Sequence, residues 1–230
     1  MSDTVLGQQP PVPSECPPLE PGDRLTRVDF ERRYDAMPQL RKAELIDGVV
    51  YMPSPVRLRR HGRPNRHLST WLGTYEAATA GVMGADNASV RLDMDNEPQP
   101  DAILFVDPAC GGQVRISEDD YIEGGPELAA EITSSRVSYD LGDKYHAFRR
   151  NGVREYLVWR ALDREIDWFI LREGRYELLP QDENHRNRED EPHDAAAQPF
   201  DGGMSAADAL AQRHAHPQQC RRLDRKVQTP

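Results

Sequence analysis

The sequence predicts an α/β (α+β) domain, and three observations carry that prediction. Residues 127–159, ELAAEITSSRVSYDLGDKYHAFRRNGVREYLVW, read in succession as strand, turn, helix and strand. Residues 43–52, AELIDGVVYM, read as a hairpin, because Asp47-Gly48 is a favoured two-residue turn between two apolar strands. Leu68, Trp71, Leu72 and Tyr75 recur at helical spacing and form a stripe that must be buried. With 230 residues and 37% hydrophobic content the chain can bury one sizeable core. It divides into a disordered proline-rich arm at 1–23, one domain at 24–180, and a polar, mostly disordered tail at 181–230 that carries one short helix near 205–214.

Taken in order, the arm holds Pro10, Pro11, Pro13, Pro17, Pro18 and Pro21 and bears no recognisable chemistry. Thr26 followed by Asp29 is a variant capping box opening a helix that carries Phe30 and Tyr34 and ends before Pro38. Glu44 is the odd residue on the first hairpin strand. It is either an exposed edge carboxylate or a member of a site. Residues 57–66, RLRRHGRPNR, form a basic loop containing a helix start. Its arginines either contact phosphates or keep the loop solvated, and His61 and His67 beside it lack metalloprotease spacing.

Residues 88–94 read as a strand, and Asp101 stands at the mouth of a second, buried strand at 101–106. There it either caps the strand or meets Glu131 as a metal ligand. The acidic run 117–123 has no calcium-loop spacing and reads as a solvated connection. In the strand 127–133, alternation sets Leu128, Ala130 and Ile132 on one face and Ala129, Glu131 and Thr133 on the other, which leaves a carboxylate mid-strand. Ser134, Ser135 and Ser138 supply turn and capping chemistry, and a helix bearing Leu141, Tyr145 and Phe148 runs to Asn151-Gly152. Lys144 borders the apolar face of that helix and needs a carboxylate partner or a chemical role. The strand 153–159 follows after so short a helical crossover that it runs parallel to the first. A last hairpin, 166–171 with 175–179, turns at Glu173-Gly174.

Composition narrows the function classes. No apolar run reaches membrane-span length and the N-terminus lacks a signal peptide's basic start and apolar middle, so a soluble, cytoplasmic protein is expected. Cys16, Cys110 and Cys220 are far apart and in no C-x-x-C pair, and read as free thiols. The net charge of -10 argues against a broad nucleic-acid coat, but it is unevenly spread. Residues 24–66 hold 11 basic and 5 acidic side chains, whereas 67–131 hold 2 and 13, a division that suits cations bound by carboxylates beside arginines that meet phosphates. Phosphate-loop, dinucleotide and nucleophile-elbow motifs are all missing. Asp101, Glu131 and Lys144 remain.

Pro100-Asp101, a second acid at Glu131 and a nearby lysine resemble the PD-(D/E)XK nuclease superfamily. The longer pattern, Glu44 to Gly48, His61 or His67, Pro100-Asp101, Glu131 to Ser134, Asp140 with Lys144, and Gly152 to Tyr156, resembles the Uma-two family of restriction endonucleases. This likeness implies a restriction-endonuclease-like core, a central mixed β-sheet flanked by helices with the N-terminal helix and hairpin added. It implies that Asp101 and Glu131 bind magnesium, or manganese in its place, that Glu44 adds a further carboxylate, and that Lys144 activates the attacking water in DNA cleavage. A homodimer would suit paired cuts on opposite strands. Position 133 is Thr133 where the superfamily's common E-x-K arrangement has its lysine, so Lys144 must supply that group from the helix. Two other readings stand beside this one. One is a nuclease fold without activity that binds nucleic acid or protein, and the other makes Lys144 a buried structural partner of Glu131.

Overall fold

The structure is a computed structural model that describes residues 16–52, 56–133 and 142–179. The expected serine caps at 134–138, Leu141, the first 15 residues of the arm and the tail with its helix lie outside the described residues. Within residues 16–23, Leu19 is buried and Gly22 donates a backbone hydrogen bond to Val50.

Helix α1 (Arg27–Asp35) starts as its sequence requires, with Thr26 as N-cap accepting from the Asp29 N–H. Strands β1 (Glu44–Ile46) and β2 (Val49–Tyr51) form the hairpin, and Asp47 and Gly48 both take the positive φ its tight turn demands. A five-residue π-helical turn, Leu58–Gly62, runs straight into helix α2 (Arg63–Ala78), where the sequence had suggested a loop. Strand β3 (Val82–Ala85) was not foreseen, since Gly81 and Gly84 mask it, and the strand expected at 88–94 shrinks to β4 (Val90–Arg91). Next comes β5 (Ala102–Val106), then the short strands β6 (Arg115–Ile116) and β7 (Ile122–Glu123), which flank the acidic connection. Strand β8 (Leu128–Thr133), helix α3 (Asp143–Arg150), strand β9 (Glu155–Arg160) and the hairpin β10 (Glu165–Arg172) with β11 (Arg175–Leu178) complete the chain.

The main sheet has the order β11-β10-β9-β8-β5-β3. Only β8 and β9 pair in parallel, so the sheet is mixed, with the strand-helix-strand unit at its centre. Helix α2 covers one face, where Leu68 and Leu72 meet Leu104, Leu128, Ala130 and Leu157. Helix α3 covers the other, where Ala147 and Phe148 meet Ile103, Phe105, Ala129 and Tyr156. Burial of a side chain such as Phe148 stabilises the fold by about 1.5–3 kcal/mol. The two faces sort as alternation predicts: Leu128, Ala130 and Ile132 look toward α2, and Ala129 toward α3. A third cluster, Leu19, Phe30, Ala43, Leu45 and Val50, lies under the β1-β2 hairpin, and β4, β7 and β6 form a separate small sheet.

Among the described residues no helix is long and apolar enough to cross a membrane. Cys16 is a free thiol, as expected. Cys110 is instead disulfide-bonded, which linear spacing cannot reveal.

Candidate active site

Antiparallel pairing of β5 with β8 sets Ala102 opposite Ala130 and Ile103 opposite Ala129. Continued by one residue, that register sets Asp101 opposite Glu131, on the face that α3 covers. Directly opposed side chains stand about 4.5–5.5 Å apart at Cβ. The two sequence-predicted acids are thus cross-strand neighbours at one end of the sheet.

Glu44 reaches them from the hairpin. Strand β1 is bridged to the segment before β5 by reciprocal backbone hydrogen bonds between Leu45 and Glu97. The Gln99 N–H then donates to Oε1 of Glu44 at 2.7 Å. Lys144 comes from the first turn of α3, which the hairpin holds at both ends. Tyr51 donates to Asp143 at 3.0 Å, and Arg150 pairs with Asp47. Between those clamps the Lys144 ammonium lies 2.7 Å from Oε1 of Glu131 and 2.9 Å from Oε1 of Glu44. Asp101, Glu131, Glu44 and Lys144 are each less than 5% exposed. The edge-carboxylate reading of Glu44 is therefore excluded.

Asp101 has its own partners. Its Oδ2 accepts from the Ile132 N–H at 2.8 Å and lies 3.0 Å from Nε2 of His61, while Oδ1 faces Lys42 Nζ at 3.7 Å. Burial works against its charge, but the His61 contact, the Lys42 charge and the Ile132 N–H together hold its carboxyl below the usual range. Asp101 is therefore an anion at neutral pH.

Lys42 was not singled out from sequence, and His61 was named there only as an alternative to His67. Lys42 had a readable signal, since it lies two residues before Glu44 and so on the same face of an extended strand. His61 had little, because only the tertiary structure decides that this histidine, and not the exposed His67, meets Asp101.

Among the described residues no three His, Cys, Asp or Glu side chains form a ready cage for a metal ion. Lys144 stands between Glu44 and Glu131. The donor chemistry nevertheless suits a hard cation: Asp101 and Glu131 offer carboxylate oxygens on facing strands, and magnesium is commonly held by one or two carboxylates with water and substrate phosphate completing its shell.

Opposed acids on adjacent strands, a lysine from the crossover helix and a central mixed sheet define a restriction-endonuclease-like fold. A crystal structure from Anabaena variabilis, described as "a putative nuclease belonging to DUF820", shares this architecture with a TM-score of 0.50 at 11% identity, over 65% of this chain and 83% of that one. Residues 28–196 match the Uma2 family, described as "Putative restriction endonuclease", and the chain belongs to that family. No curated protein matches it.

Proposed function

We propose that this protein is a cytoplasmic, metal-dependent endonuclease that hydrolyses phosphodiester bonds in DNA. The observation that carries the reading is the placement of Lys144 within 3 Å of both Glu131 and Glu44, with Asp101 opposite Glu131 across β5 and β8. Hydrolysis adds a water oxygen to phosphorus, breaks one P–O ester bond and hands a proton to the departing oxygen. The site must orient that water and offset charge gathering on the phosphoryl oxygens.

Asp101 and Glu131 would hold magnesium or manganese, which when bound neutralises phosphate charge and acidifies water. Asp101 is fixed for this by the Ile132 N–H, and the His61 contact and the Lys42 charge keep its carboxyl below the usual range. Lys144, held between two carboxylates, keeps an ammonium directed at the site and offsets charge on the phosphoryl group. Glu44 shares that ammonium and adds a carboxylate to the rim. Lys42 brings further positive charge beside Asp101, and His61 places a ring nitrogen against its Oδ2.

The test is cleavage of supercoiled and linear DNA in magnesium and in manganese, with titration calorimetry of each ion into the same proteins. Asp101→Asn and Glu131→Gln are each expected to lower the cleavage rate by about 100-fold or more while keeping wild-type circular dichroism. EDTA is expected to abolish cleavage by the wild type. Undiminished cleavage by both variants would overturn the assignment. A second reading, a nuclease-fold module that binds without turnover, draws on the Lys144 ammonium being already shared by two carboxylates. DNA binding with no cleavage in either metal would establish it.

A further inference from the structure

From Gly48 to Tyr75 the chain contains no acidic residue, and within that stretch Arg57, Arg59, Arg60, Arg63 and Arg66 are all exposed. None of the five forms an ion pair among the described residues. Elsewhere the acidic majority finds its cations: Arg27 pairs with Glu31, Arg33 with Asp23, Arg91 with Glu31 and Asp119, and Arg160 with Asp167. In a chain of net charge -10, five neighbouring guanidinium groups left to solvent repel one another, and a polyanion would relieve that repulsion.

Their backbone ties them to the candidate active site. The N–H groups of His61 and Gly62 both donate to the Arg57 carbonyl, making the π-helical turn, and the Arg63 N–H donates to Leu58. Such turns are rare and occur often at functional sites. This one turns His61 inward to Asp101 and leaves Arg57, Arg59 and Arg60 outside. Buried Pro64, Leu68 and Leu72 then anchor α2 on the sheet, so Arg63 and Arg66 project from a fixed helix. Arg59, Arg63 and Arg66 follow one another at i, i+4 and i+7, a spacing that forms a row on a helical surface.

We propose that Arg57, Arg59, Arg60, Arg63 and Arg66 form the surface that grips the sugar–phosphate backbone of a nucleic acid and leads it past His61 to Asp101. Arginine suits this task because its planar fork can give two hydrogen bonds to one phosphate. The proposal rests on the nuclease reading for the identity of the polyanion, but it concerns binding and not the chemical step.

The experiment is fluorescence anisotropy with the full chain in EDTA, where cleavage cannot intervene, on a labelled DNA duplex, its single strand and the matching RNA duplex across a salt series. Arg59→Gln/Arg63→Gln/Arg66→Gln is compared with wild type and with Arg172→Gln/Arg175→Gln, which removes two exposed arginines at the β10-β11 turn, at the opposite end of the sheet. The triple variant is expected to bind at least about tenfold more weakly, with a log Kd against log salt slope shallower by about 2–3, as loss of three phosphate contacts requires. The control should stay within about twofold of wild type. Wild-type affinity and slope in the triple variant would overturn the proposal, as would an equal loss in the control or no binding of any nucleic acid by wild type. Cleavage in magnesium is scored separately: binding through the arginines without cutting sinks the catalytic reading and upholds this surface. Cutting with undiminished affinity after their loss does the reverse.

Discussion

Lys144 keeps an ammonium in a nearly sealed position because two carboxylates meet it there, Glu131 at 2.7 Å and Glu44 at 2.9 Å. Desolvating three charges is costly, and their mutual attraction offsets that cost only while all partners remain. Lys144→Met would leave two buried carboxylates facing each other without a cation, and is expected to lower unfolding stability by about 3–5 kcal/mol. Urea titration of the purified variant measures this; an unchanged midpoint and slope would show that the triad does not stabilise the fold. Glu44→Gln in the same background should restore part of the loss, since one of the two opposed charges disappears. The sequence made the need for a partner legible, because a lysine beside an apolar helical face cannot remain unsatisfied. It left Glu44 open, because the choice between edge and interior depends on what packs over the hairpin.

At the scale of elements, the strand-helix-strand unit works because its two strands start level. Glu127 accepts a backbone bond from Glu155, and the loop before β8 presses against the end of α3. Gln113 donates from one amide nitrogen to the carbonyls of Gly125 at 2.6 Å and Gly152 at 3.1 Å, joining the two approaches. The contact is close enough to require glycine. A Cβ on residue 125 would stand 2.5 Å from the Asn151 carbonyl oxygen and 3.0 Å from the Val153 nitrogen, both backbone atoms that cannot swing aside. Gly125→Ala is therefore expected to destabilise by about 1–3 kcal/mol through overpacking, read as a fall in thermal midpoint. A variant that melts with wild type would show that the strands' common start does not depend on this approach. Two glycines before Pro126 read as a loop in the sequence. Nothing in them reveals which backbone they will touch.

The whole molecule joins its main sheet to the α1 and hairpin layer across a further buried acid, Glu97, that no sequence feature marked. Glu97 is fully buried, and among the described residues its Oε2 has no hydrogen-bond partner. Burial, and then the neighbouring Glu31 carboxylate, push its carboxyl up to about 8 against the opposing charges of Arg91 and Arg27. Between about pH 4.5 and 8 the folded protein thus retains a proton that the unfolded chain has released. The contribution of Glu97 is complete below the unfolded value and lost as pH rises through the folded one, so this group makes the protein less stable at pH 8 than at pH 5, by on the order of a few kcal/mol. Glu97→Gln keeps the neutral shape and should flatten that dependence, with the gain over wild type largest at pH 8. Urea midpoints at the two pH values check it, and an equal pH dependence in both proteins would dismiss Glu97 as the source.

Local chemistry alone determined much of this protein. Thr26 capped its helix, Asp47-Gly48 and Glu173-Gly174 made their turns, and alternation in β8 sent Glu131 and Ile132 to opposite faces. These outcomes depend on torsional preference and side-chain period, which operate over a few residues. Tertiary structure alone decided that Asp101 falls opposite Glu131, that Lys144 lies between Glu131 and Glu44, and that His61 turns to Asp101. Those are contacts between segments 13 to 100 residues apart, set by strand register and by how the hairpin clasps α3. The five arginines' want of ion pairs among the described residues belongs to the same class, since their charge was visible in the chain and their surroundings were not.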